Sequence, residues 1–446
     1  MAMISPTAAP AEEVRLITLD PGHFHAGLVQ KFMYPGVAPD VHVYAPPGPD
    51  LNDHLGRIEN YNSRADSPTH WQEIVYDKPD FLEQCLRQKA GNVVVLAGNN
   101  RRKTEYIDRC LKAGFNVLAD KPMAINPRQF SLLRRDLALA RKKKLLLCDI
   151  MTERCEITTI LQRELARAPE VFGTLITGSA EEPAVEMESV HHFYKEVSGA
   201  PLLRPPWFFD VRQQGEAIPD VGTHLVDLVQ WECFPDRALN WKKDIRVLSA
   251  HRWATALTPE QFRRLTGLEQ YPDCLKESVG AGGRLNVFQN GDVNYTICGL
   301  HAKVTVLWRF QAPPGAGDTH YSRLIGTRAI LTIQQGEAEH CQPELYVEKN
   351  SGMNTDTDFE TTLRSAVDRL CGTWPGLKVS RVKGSFGYWH IIVPDQYRLG
   401  HEAHFAQVTR EYLGFLAGEK MPAWVAPDLL AKYYTTTEAW RLSRKH

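Results

Sequence analysis

The chain has 446 residues, a formal net charge of −1 and 43% hydrophobic residues. That length exceeds what one hydrophobic core usually serves, so it predicts two domains. The near-neutral charge excludes a broad basic surface of the kind that binds nucleic acid, and the sequence has neither an apolar run of transmembrane length nor a basic amphipathic stretch. We therefore expect a small-molecule partner, with no nucleic acid and no membrane.

The nine cysteines are an odd number, widely scattered, with no C-x-x-C pair. This spacing argues against a disulfide framework or a zinc knuckle and predicts reduced, mostly buried thiols. Residues 1–10 lack the charged and apolar regions of an intact signal peptide, which predicts a cytoplasmic location for the chain as given. If this segment is the remnant of a trimmed signal, the periplasm is expected instead.

From residue 14, short apolar β runs alternate with helical stretches. Strands alternating with helices indicate a parallel sheet covered on both faces, a doubly wound α/β arrangement. We therefore predict a Rossmann-like nucleotide-binding domain over residues 14–150. Its predicted strands are 14–19, 41–44, 92–97, 116–119 and 145–148, and its predicted helices are 26–34, 81–89, 104–113 and 127–143.

The pattern changes after residue 150, where strands follow one another without intervening helices. Such a pattern indicates a mostly antiparallel sheet, so we predict an α+β domain over residues 151–446. A long irregular stretch is expected before the helix at 220–233. The other predicted helices are 156–167, 402–416 and 427–441, and the predicted strands are 171–178, 283–287, 293–298, 303–310, 323–325 and 329–333.

The first strand ends in a loop where a dinucleotide fold places its phosphate-binding glycines. Of the G-x-G-x-x-G pattern only Gly22 remains, and Asp20 and His25 take the places of the first and third glycines. The middle glycine is the one that lets a pyrophosphate approach the backbone, and the helix behind it offers free N–H groups. The loop, which also contains His23 and Phe24, is therefore predicted to contact a cofactor.

The end of the second strand lacks the acidic residue usual in dinucleotide folds. Tyr44 and Ala45 are candidates for the wall of an adenine slot, and Asp50 is a candidate for the adenosine ribose. No arginine follows this strand to receive a 2′-phosphate, which favours NAD over NADP.

His23 and His25 have a second interpretation, because an H-x-H pair after a first strand is also typical of metal-dependent hydrolases. Such enzymes require further ligands at later strand ends of a β/α barrel, and the later strands here do not supply them in order. We therefore assign no metal site and expect loop packing and cofactor contact. His401 and His404 also resemble a metal pair, but the start of a helix explains them better.

Two segments carry side chains suited to removing a hydride and a proton from an alcohol. Lys121 follows a predicted strand at the carboxyl edge of the sheet, where it can hydrogen-bond a cofactor ribose and a substrate hydroxyl. The helix at 220–233 places Asp220 one turn before His224, so the carboxylate can orient the imidazole for proton abstraction. Asp227 is predicted to be structural. The alternatives are an exposed lysine and a capping aspartate beside a packed histidine.

The segments 97–100, 113–124 and 220–227 resemble the glucose-fructose oxidoreductase and inositol dehydrogenase family (GFO/IDH/MocA). Its E-K-P motif corresponds to Asp120-Lys121-Pro122, and its D-x-G-x-H-x-x-D motif is complete at 220–227. The resemblance covers most of the chain and includes a sheet segment at 326–333.

This resemblance implies a Rossmann domain, a second domain with an open-faced sheet for substrate contact and homo-oligomerisation, and nicotinamide-dependent hydride transfer at a sugar or cyclitol carbon. By position it implies that Lys121 orients the substrate and the nicotinamide ribose, that Asp220 assists, and that His224 is the acid/base. The further residues predicted to bind the cofactor are Gly98, Asn99, Asn100 and Asp120.

Residues 189–195 and 204–212 combine aromatic and hydrogen-bonding groups that suit a carbohydrate. The predicted substrate-binding residues are His191, His192, Trp207, Arg212, Asp220 and His224. The sequence thus predicts an NAD-dependent oxidoreductase that takes a hydride from a secondary hydroxyl of a sugar or glycoside, with a 3-keto glycoside as one product. Three alternatives stay open: an NAD-dependent glycosidase acting by transient oxidation and elimination, a metal-dependent hydrolase using His23 and His25, and a non-catalytic sugar-binding protein.

Overall fold

The structure, a computed structural model, describes residues 13–197, 200–350 and 355–445. Residues 1–10, on which the localisation prediction depends, lie outside the described residues. The first half forms a six-stranded sheet in the order β3-β2-β1-β4-β5-β6, in which every pair is parallel. Its elements are β1 (Leu16–Leu19), α1 (His25–Val29), β2 (Asp40–Tyr44), α2 (Pro49–Ser63), β3 (Gln72–Tyr76), α3 (Phe81–Gln88), β4 (Val93–Leu96), α4 (Asn100–Ala113), β5 (Asn116–Asp120), α5 (Pro127–Lys143) and β6 (Leu147–Ile150).

Apolar residues on both faces of this sheet are buried, as the near-continuous apolar strands require. One core joins the sheet to α3, α4 and α5, and the other joins it to α1 and α2. Local signals set the helix limits: Asn99 and Asn126 cap the starts of α4 and α5 with their side chains, and Gly114 ends α4 in the left-handed conformation. The predicted doubly wound sheet is confirmed.

Four elements of this half differ from the prediction. Helix α4 begins at Asn100, one turn before the predicted residue 104. Helix α1 ends at Val29, well before the predicted residue 34. Helix α2 and strand β3 were not predicted. Helix α2 buries only Leu51, His54 and Ile58, and β3 is an edge strand that leaves Ile74 and Val75 largely exposed, so neither carries a strong apolar period.

The second half contains a nine-stranded sheet in the order β10-β11-β12-β7-β13-β14-β15-β17-β16 and a two-stranded ribbon, β8-β9. All pairs of the large sheet are antiparallel except β12 with β7, which is parallel. Its elements are α6 (Ile157–Ala166), β7 (Val185–Tyr194), β8 (Glu196–Val197), β9 (Ala200–Pro201), α7 (Ala217–Asp220), α8 (Gly222–Cys233), β10 (Ile245–Leu257), α9 (Pro259–Thr266), β11 (Leu285–Ile297), β12 (Leu300–Gln311), β13 (Thr319–Ile325), β14 (Ala329–Gln334), β15 (Glu344–Lys349), α10 (Asp356–Leu370), β16 (Lys378–Arg381), β17 (Tyr388–Ile392), α11 (His401–Leu416) and α12 (Val425–Leu442).

The mostly antiparallel sheet confirms the predicted class, but several positions were wrong. The predicted strand 171–178 is absent, since Leu175 and Gly178 form only isolated bridges. The stretch expected to be irregular contains β7, which lies near the middle of the sheet. The predicted helix at 220–233 is two helices, because α7 ends at Asp220 and α8 begins at Gly222. The elements that were not predicted are strands β8, β9, β10, β15, β16 and β17 and helices α9 and α10.

The two C-terminal helices return to the first sheet. Phe405 and Tyr412 of α11 belong to the core shared with β1, α1 and α2. In α12, Lys432 is 1% exposed, and its Nζ atom lies 2.7 Å from Asp149 Oδ2 and 2.8 Å from Asp227 Oδ1. Arg154 also binds Asp227, with its Nε atom 2.6 Å from Oδ2. This confirms the structural role predicted for Asp227, and it ties both halves of the chain together.

All nine cysteines are free thiols, three of them buried and six partly exposed, so the expectation of mostly buried thiols was too strong. Among the described residues, no helix has the length and apolar character needed to cross a membrane.

We predict that Lys432→Met lowers the free energy of unfolding by about 3 kcal/mol, because removing the ammonium leaves buried carboxylates with fewer partners. Denaturant unfolding measures this difference. Lys420→Met, at an exposed position, is the matched control and should leave the free energy nearly unchanged. Equal stability of the two variants would show that the contacts of Lys432 with Asp149 and Asp227 do not contribute stability of this size.

Candidate functional site

A cavity of about 520 Å³ lies where the carboxyl edge of the first sheet meets α8 and the second sheet. That volume falls in the range of small-molecule sites. Its wall combines charged, imidazole and aromatic groups from both halves of the chain. They include His23, His25, Lys121, Glu153, His191, Lys195, Phe208, Asp220, His224, Trp308, Asp318, His320 and His401.

Lys121 and Asp220 form a buried ion pair in this cavity. Lys121 follows β5, and its Nζ atom donates a hydrogen bond of 2.7 Å to Asp220 Oδ1 at the end of α7. Gln214 Nε2 donates to the other carboxylate oxygen at 3.0 Å. Burial opposes ionisation of Asp220, but the Lys121 ammonium and these hydrogen bonds outweigh it and hold the pKa of Asp220 below its ordinary value. The aspartate is therefore ionised at neutral pH.

His224 lies one turn further on, in α8, and faces the same cavity. Its Nδ1 atom is buried and has no hydrogen-bond partner among the described residues. Burial, followed by the nearby Lys121 charge, lowers the pKa of His224 to about 4. The imidazole is therefore neutral near pH 7, and it can accept a proton from a ligand in the cavity.

His23 and His25 lie at the start of α1 and meet Asp120 at the end of β5. The Nδ1 atoms of His25 and His23 are 2.9 Å and 3.6 Å from Asp120 Oδ2. On the other side of the ring, His25 Nε2 is 3.4 Å from Nε2 of His401. Burial lowers the pKa of both His23 and His25 well below the ordinary value, and neighbouring histidine charges add to this. His401 begins helix α11, as predicted, and its contact with His25 is an addition that the sequence did not indicate.

The loop around Gly22 is covered by the chain's own side chains. A methyl group placed on Gly22 would lie 3.0 Å from Asp50 Oδ2 and 3.2 Å from Trp207 Cζ2. The Trp207 indole donates a 2.8 Å hydrogen bond to that Asp50 oxygen. The N–H groups of Gly22 and His23 both donate to the Ala97 carbonyl. A pyrophosphate could approach Gly22 only after the Trp207 and Asp50 side chains turn away.

The other predicted cofactor residues lie along the same sheet edge. Asp20, which is partly buried, accepts a hydrogen bond of 2.7 Å from Tyr106, and burial raises its pKa. Gly98 contacts the Asp20 backbone so closely that any side chain there would clash. Asn99 and Asn100 donate to Gln213 Oε1 and to the Gln214 carbonyl, each at 2.7 Å, and so link the two halves. Tyr44 and Ala45 are buried at the end of β2.

The predicted substrate-binding residues divide into two groups. His191, Asp220 and His224 line the cavity with Lys121. His191 Nδ1 lies 2.9 Å from Asp318 Oδ2, and its ring stacks on Trp308 with centroids 5.0 Å apart. The other three residues, His192, Trp207 and Arg212, are not among those that line the cavity.

A second cavity, of about 800 Å³, lies against Asp20 and Asn99 on the outer side of the same edge. It was not foreseen, because its arginines come from α4, α5 and the segment before α7, which are far apart in the sequence. Its cationic groups are Arg101, Arg102, Arg128, Arg135 and Arg212.

We predict that His224 makes the protein less stable as the pH falls from 6.5 towards 4. Unfolded His224 binds a proton near its ordinary pKa of 6.5, whereas the folded group resists protonation until about pH 4. The unfolded state therefore binds more protons in this window, which lowers the free energy of unfolding by up to about 3 kcal/mol. The measurement is denaturant unfolding at a series of pH values. Between pH 6.5 and 4, the free energy of unfolding of His224→Asn should fall less than that of the wild type. His251→Asn, at an exposed position, should lose stability with falling pH as steeply as the wild type does. If His224→Asn also lost stability that steeply, the pH dependence would not come from His224.

Comparison with known proteins supports the same fold. A solved structure described as a "putative oxidoreductase" from Parabacteroides merdae ATCC 43184 is 51% identical, covers 98% of each chain and has a TM-score of 0.95. GenD2 from gentamicin A biosynthesis, solved in complex with NAD, is 17% identical, with 99% and 97% of the two chains covered and a TM-score of 0.58. KijD10, a 3-ketoreductase from Actinomadura kijaniata solved with NADP and TDP-benzene, is 14% identical, with 96% of each chain covered and a TM-score of 0.54.

No curated protein sequence matches the chain. A family model does: residues 161–444 match the family described as "Putative oxidoreductase C terminal domain". This match covers well over half of the sequence, and together with the Parabacteroides relative it shows that the chain belongs to this oxidoreductase family.

Proposed function

We propose that the protein is a nicotinamide-dependent oxidoreductase of the GFO/IDH/MocA type that acts on a secondary hydroxyl of a sugar or glycoside. One observation carries the proposal. The Lys121–Asp220 ion pair and His224, whose Nδ1 atom has no hydrogen-bond partner in the described part of the chain, face one cavity of about 520 Å³ at the carboxyl edge of a parallel sheet. A neutral base can accept the hydroxyl proton of an alcohol, and an ammonium held by a carboxylate can stabilise the charge that develops on its oxygen.

The cavity wall supports a carbohydrate as the substrate class. Phe208 and Trp308 offer apolar faces to the C–H groups of a sugar ring, and His191, Lys195 and Asp318 offer hydrogen-bonding groups to its hydroxyls. KijD10, which shares the fold, is a 3-ketoreductase, and this makes a 3-keto sugar or glycoside a reasonable product to test first.

The residues at this edge fit a nicotinamide cofactor once the Trp207 and Asp50 side chains move from Gly22. The atoms that cover Gly22 belong to side-chain ends, so rotation of these groups opens the backbone to a pyrophosphate. The five arginines of the second cavity add positive charge beside Asp20 and Asn99, which offsets the negative charge of the Asp20 carboxylate. The relatives bind NAD or NADP, and we propose NAD first because no arginine directly follows β2.

The bound cofactor supplies the hydride acceptor. In the proposed reaction His224 accepts the hydroxyl proton, which its neutral state near pH 7 permits. The Lys121 ammonium stabilises the negative charge that develops on the substrate oxygen. Asp220 holds Lys121 in place through the 2.7 Å hydrogen bond, and Gln214 in turn holds Asp220.

We predict that His224→Gln lowers kcat by about 100-fold or more, because it removes the proton acceptor while a polar side chain remains. The assay is absorbance at 340 nm with NAD or NADP and a panel of free sugars and glycosides. His251→Gln, which changes an exposed histidine on β10, is the control and should keep full activity. Full activity of His224→Gln would show that another group is the base, and product formed without net NADH would favour oxidation followed by elimination.

The pH profile gives a further test of the same group. Burial and Lys121 lower the pKa of His224 to about 4. The value of kcat/KM should therefore fall to half its maximum near pH 4 on the acid side, rather than near pH 6.5. A half-maximal rate near pH 6.5 would contradict a buried, neutral His224 as the base.

We predict that Trp207→Ala binds NAD several-fold more tightly than the wild type, because the indole no longer covers Gly22. Calorimetric titration of the folded variant measures the affinity. Trp253→Ala, which changes a tryptophan that is 39% exposed on the second sheet, should leave the affinity unchanged. If Trp207→Ala also left it unchanged, the pyrophosphate would have to lie away from Gly22.

A further inference from the structure

The group formed by His23, His25 and Asp120 has the composition and spacing of a metal site. Each residue offers one ligand atom, and the three atoms lie within 4.8 Å of one another. Asp120 ends β5, His25 begins α1, and His23 lies two residues before it in the short loop after β1, so the ends of regular elements position at least two of the three residues. Such a preformed set differs from a chance cluster on the protein surface.

The Asp120 carboxylate is an independent observation that points to a cation. Its side chain is only 4% exposed, and its Oδ1 atom has no hydrogen-bond partner among the described residues. A buried carboxylate oxygen without a partner is costly, and such a group is normally paired or bound to a metal.

The nearby ammonium groups do not supply that partner. Lys103 Nζ donates to the Asp120 main-chain carbonyl at 3.0 Å rather than to its carboxylate. Lys121 Nζ is paired with Asp220 at 2.7 Å. The unpartnered oxygen therefore remains available to a cation.

We propose that His23, His25 and Asp120 bind one divalent first-row transition metal ion, of which Zn²⁺, Fe²⁺ and Mn²⁺ are the candidates. Two imidazoles and one carboxylate suit these ions, whereas Mg²⁺ and Ca²⁺ prefer ligand sets made of oxygen alone. Three protein ligands leave coordination positions free for water or for an oxygen of a ligand. Since His23 and His25 both line the 520 Å³ cavity, an exogenous ligand in the cavity has access to the site.

His401 contacts His25 on the side of the ring that faces away from Asp120. Its Nε2 atom lies 3.4 Å from Nε2 of His25, while His25 Nδ1 faces Asp120. Metal-bound histidines commonly use the second ring nitrogen for a hydrogen bond that fixes the ring and its tautomer. His401 is thus a positioning residue for His25.

The test is metal binding by the full-length protein, and it depends neither on NAD nor on the proposed reaction. Protein stripped with EDTA is titrated with Zn²⁺ and with Co²⁺ as a spectroscopic probe, and the metal content of untreated protein is measured by elemental analysis. We expect one equivalent per chain and a rise in melting temperature upon metal addition, since an ion that binds the folded state stabilises it.

Asp120→Asn and His23→Gln each remove one ligand and keep a side chain of similar size. Each should weaken binding by roughly 100-fold or more, with loss of the metal-induced melting shift. His251→Gln is the matched control, because His251 forms a similar imidazole–carboxylate pair, 2.8 Å from Asp292, on the exposed side of β10. His401→Asn should weaken binding less than either ligand variant does.

Wild-type protein that binds no metal, or a folded Asp120→Asn variant that binds one equivalent as tightly as the wild type does, would overturn the proposal. Near-ultraviolet circular dichroism establishes that each variant is folded. Metal binding without NAD-dependent activity would leave the metal site standing and refute only the proposed function, and the reverse result would refute only the metal site.

Discussion

The contact between Lys121 and Asp220 is the constraint on which the site depends. An ion pair buried at 2.7 Å is favourable only when its geometry is good and its remaining hydrogen-bonding groups have partners. One partner follows β5 of the first sheet, and the other ends α7 of the second half. The pair can therefore form only when the two halves are docked in one orientation, and His224, one turn beyond Asp220, takes its position from the same docking.

Other buried polar contacts maintain that orientation. Asn99 and Asn100 reach across to Gln213 and the Gln214 carbonyl, and Gln214 continues to Asp220. On the far side, Lys432 joins Asp149 of β6 to Asp227 of α8. A chain of hydrogen bonds thus connects the edge of the parallel sheet to the helix that bears His224. Such support is what keeps reacting groups within a fraction of an ångström of their working geometry.

The fold and the meeting of Lys121, Asp220 and His224 in the candidate site were largely predictable because their signals are local. Alternating apolar strands and helices predicted the doubly wound sheet, and the ends of its strands placed Lys121 at the ligand-binding edge. The interval from Asp220 to His224 placed both residues near one face even though the helix breaks at Val221. Strand β7 was not predicted because its polar and histidine residues obscure the alternation of apolar and polar residues that indicates a strand.

The histidine cluster was not predictable for a different reason. His25 and His401 are 376 residues apart in the sequence. Asp120 lies near His25 because of the order of the strands in the sheet, and sequence spacing does not reveal that order. The arginine-lined cavity is also assembled from distant segments. A β/α barrel would place metal ligands at the ends of successive strands. In this doubly wound sheet only β4 lies between β1 and β5, so residues that follow these two strands can meet.

The return of α11 and α12 to the first sheet has a consequence for biosynthesis. A ribosome releases the strands of the parallel sheet early, yet the part of one face that packs against α11 lacks its cover until Phe405 and Tyr412 have been translated. His25 likewise meets His401, and Asp149 meets Lys432, only when nearly all of the chain has emerged. The nascent first half must therefore carry an exposed apolar patch through most of translation, and the cavity, which includes His401, can be completed only after α11 has been translated.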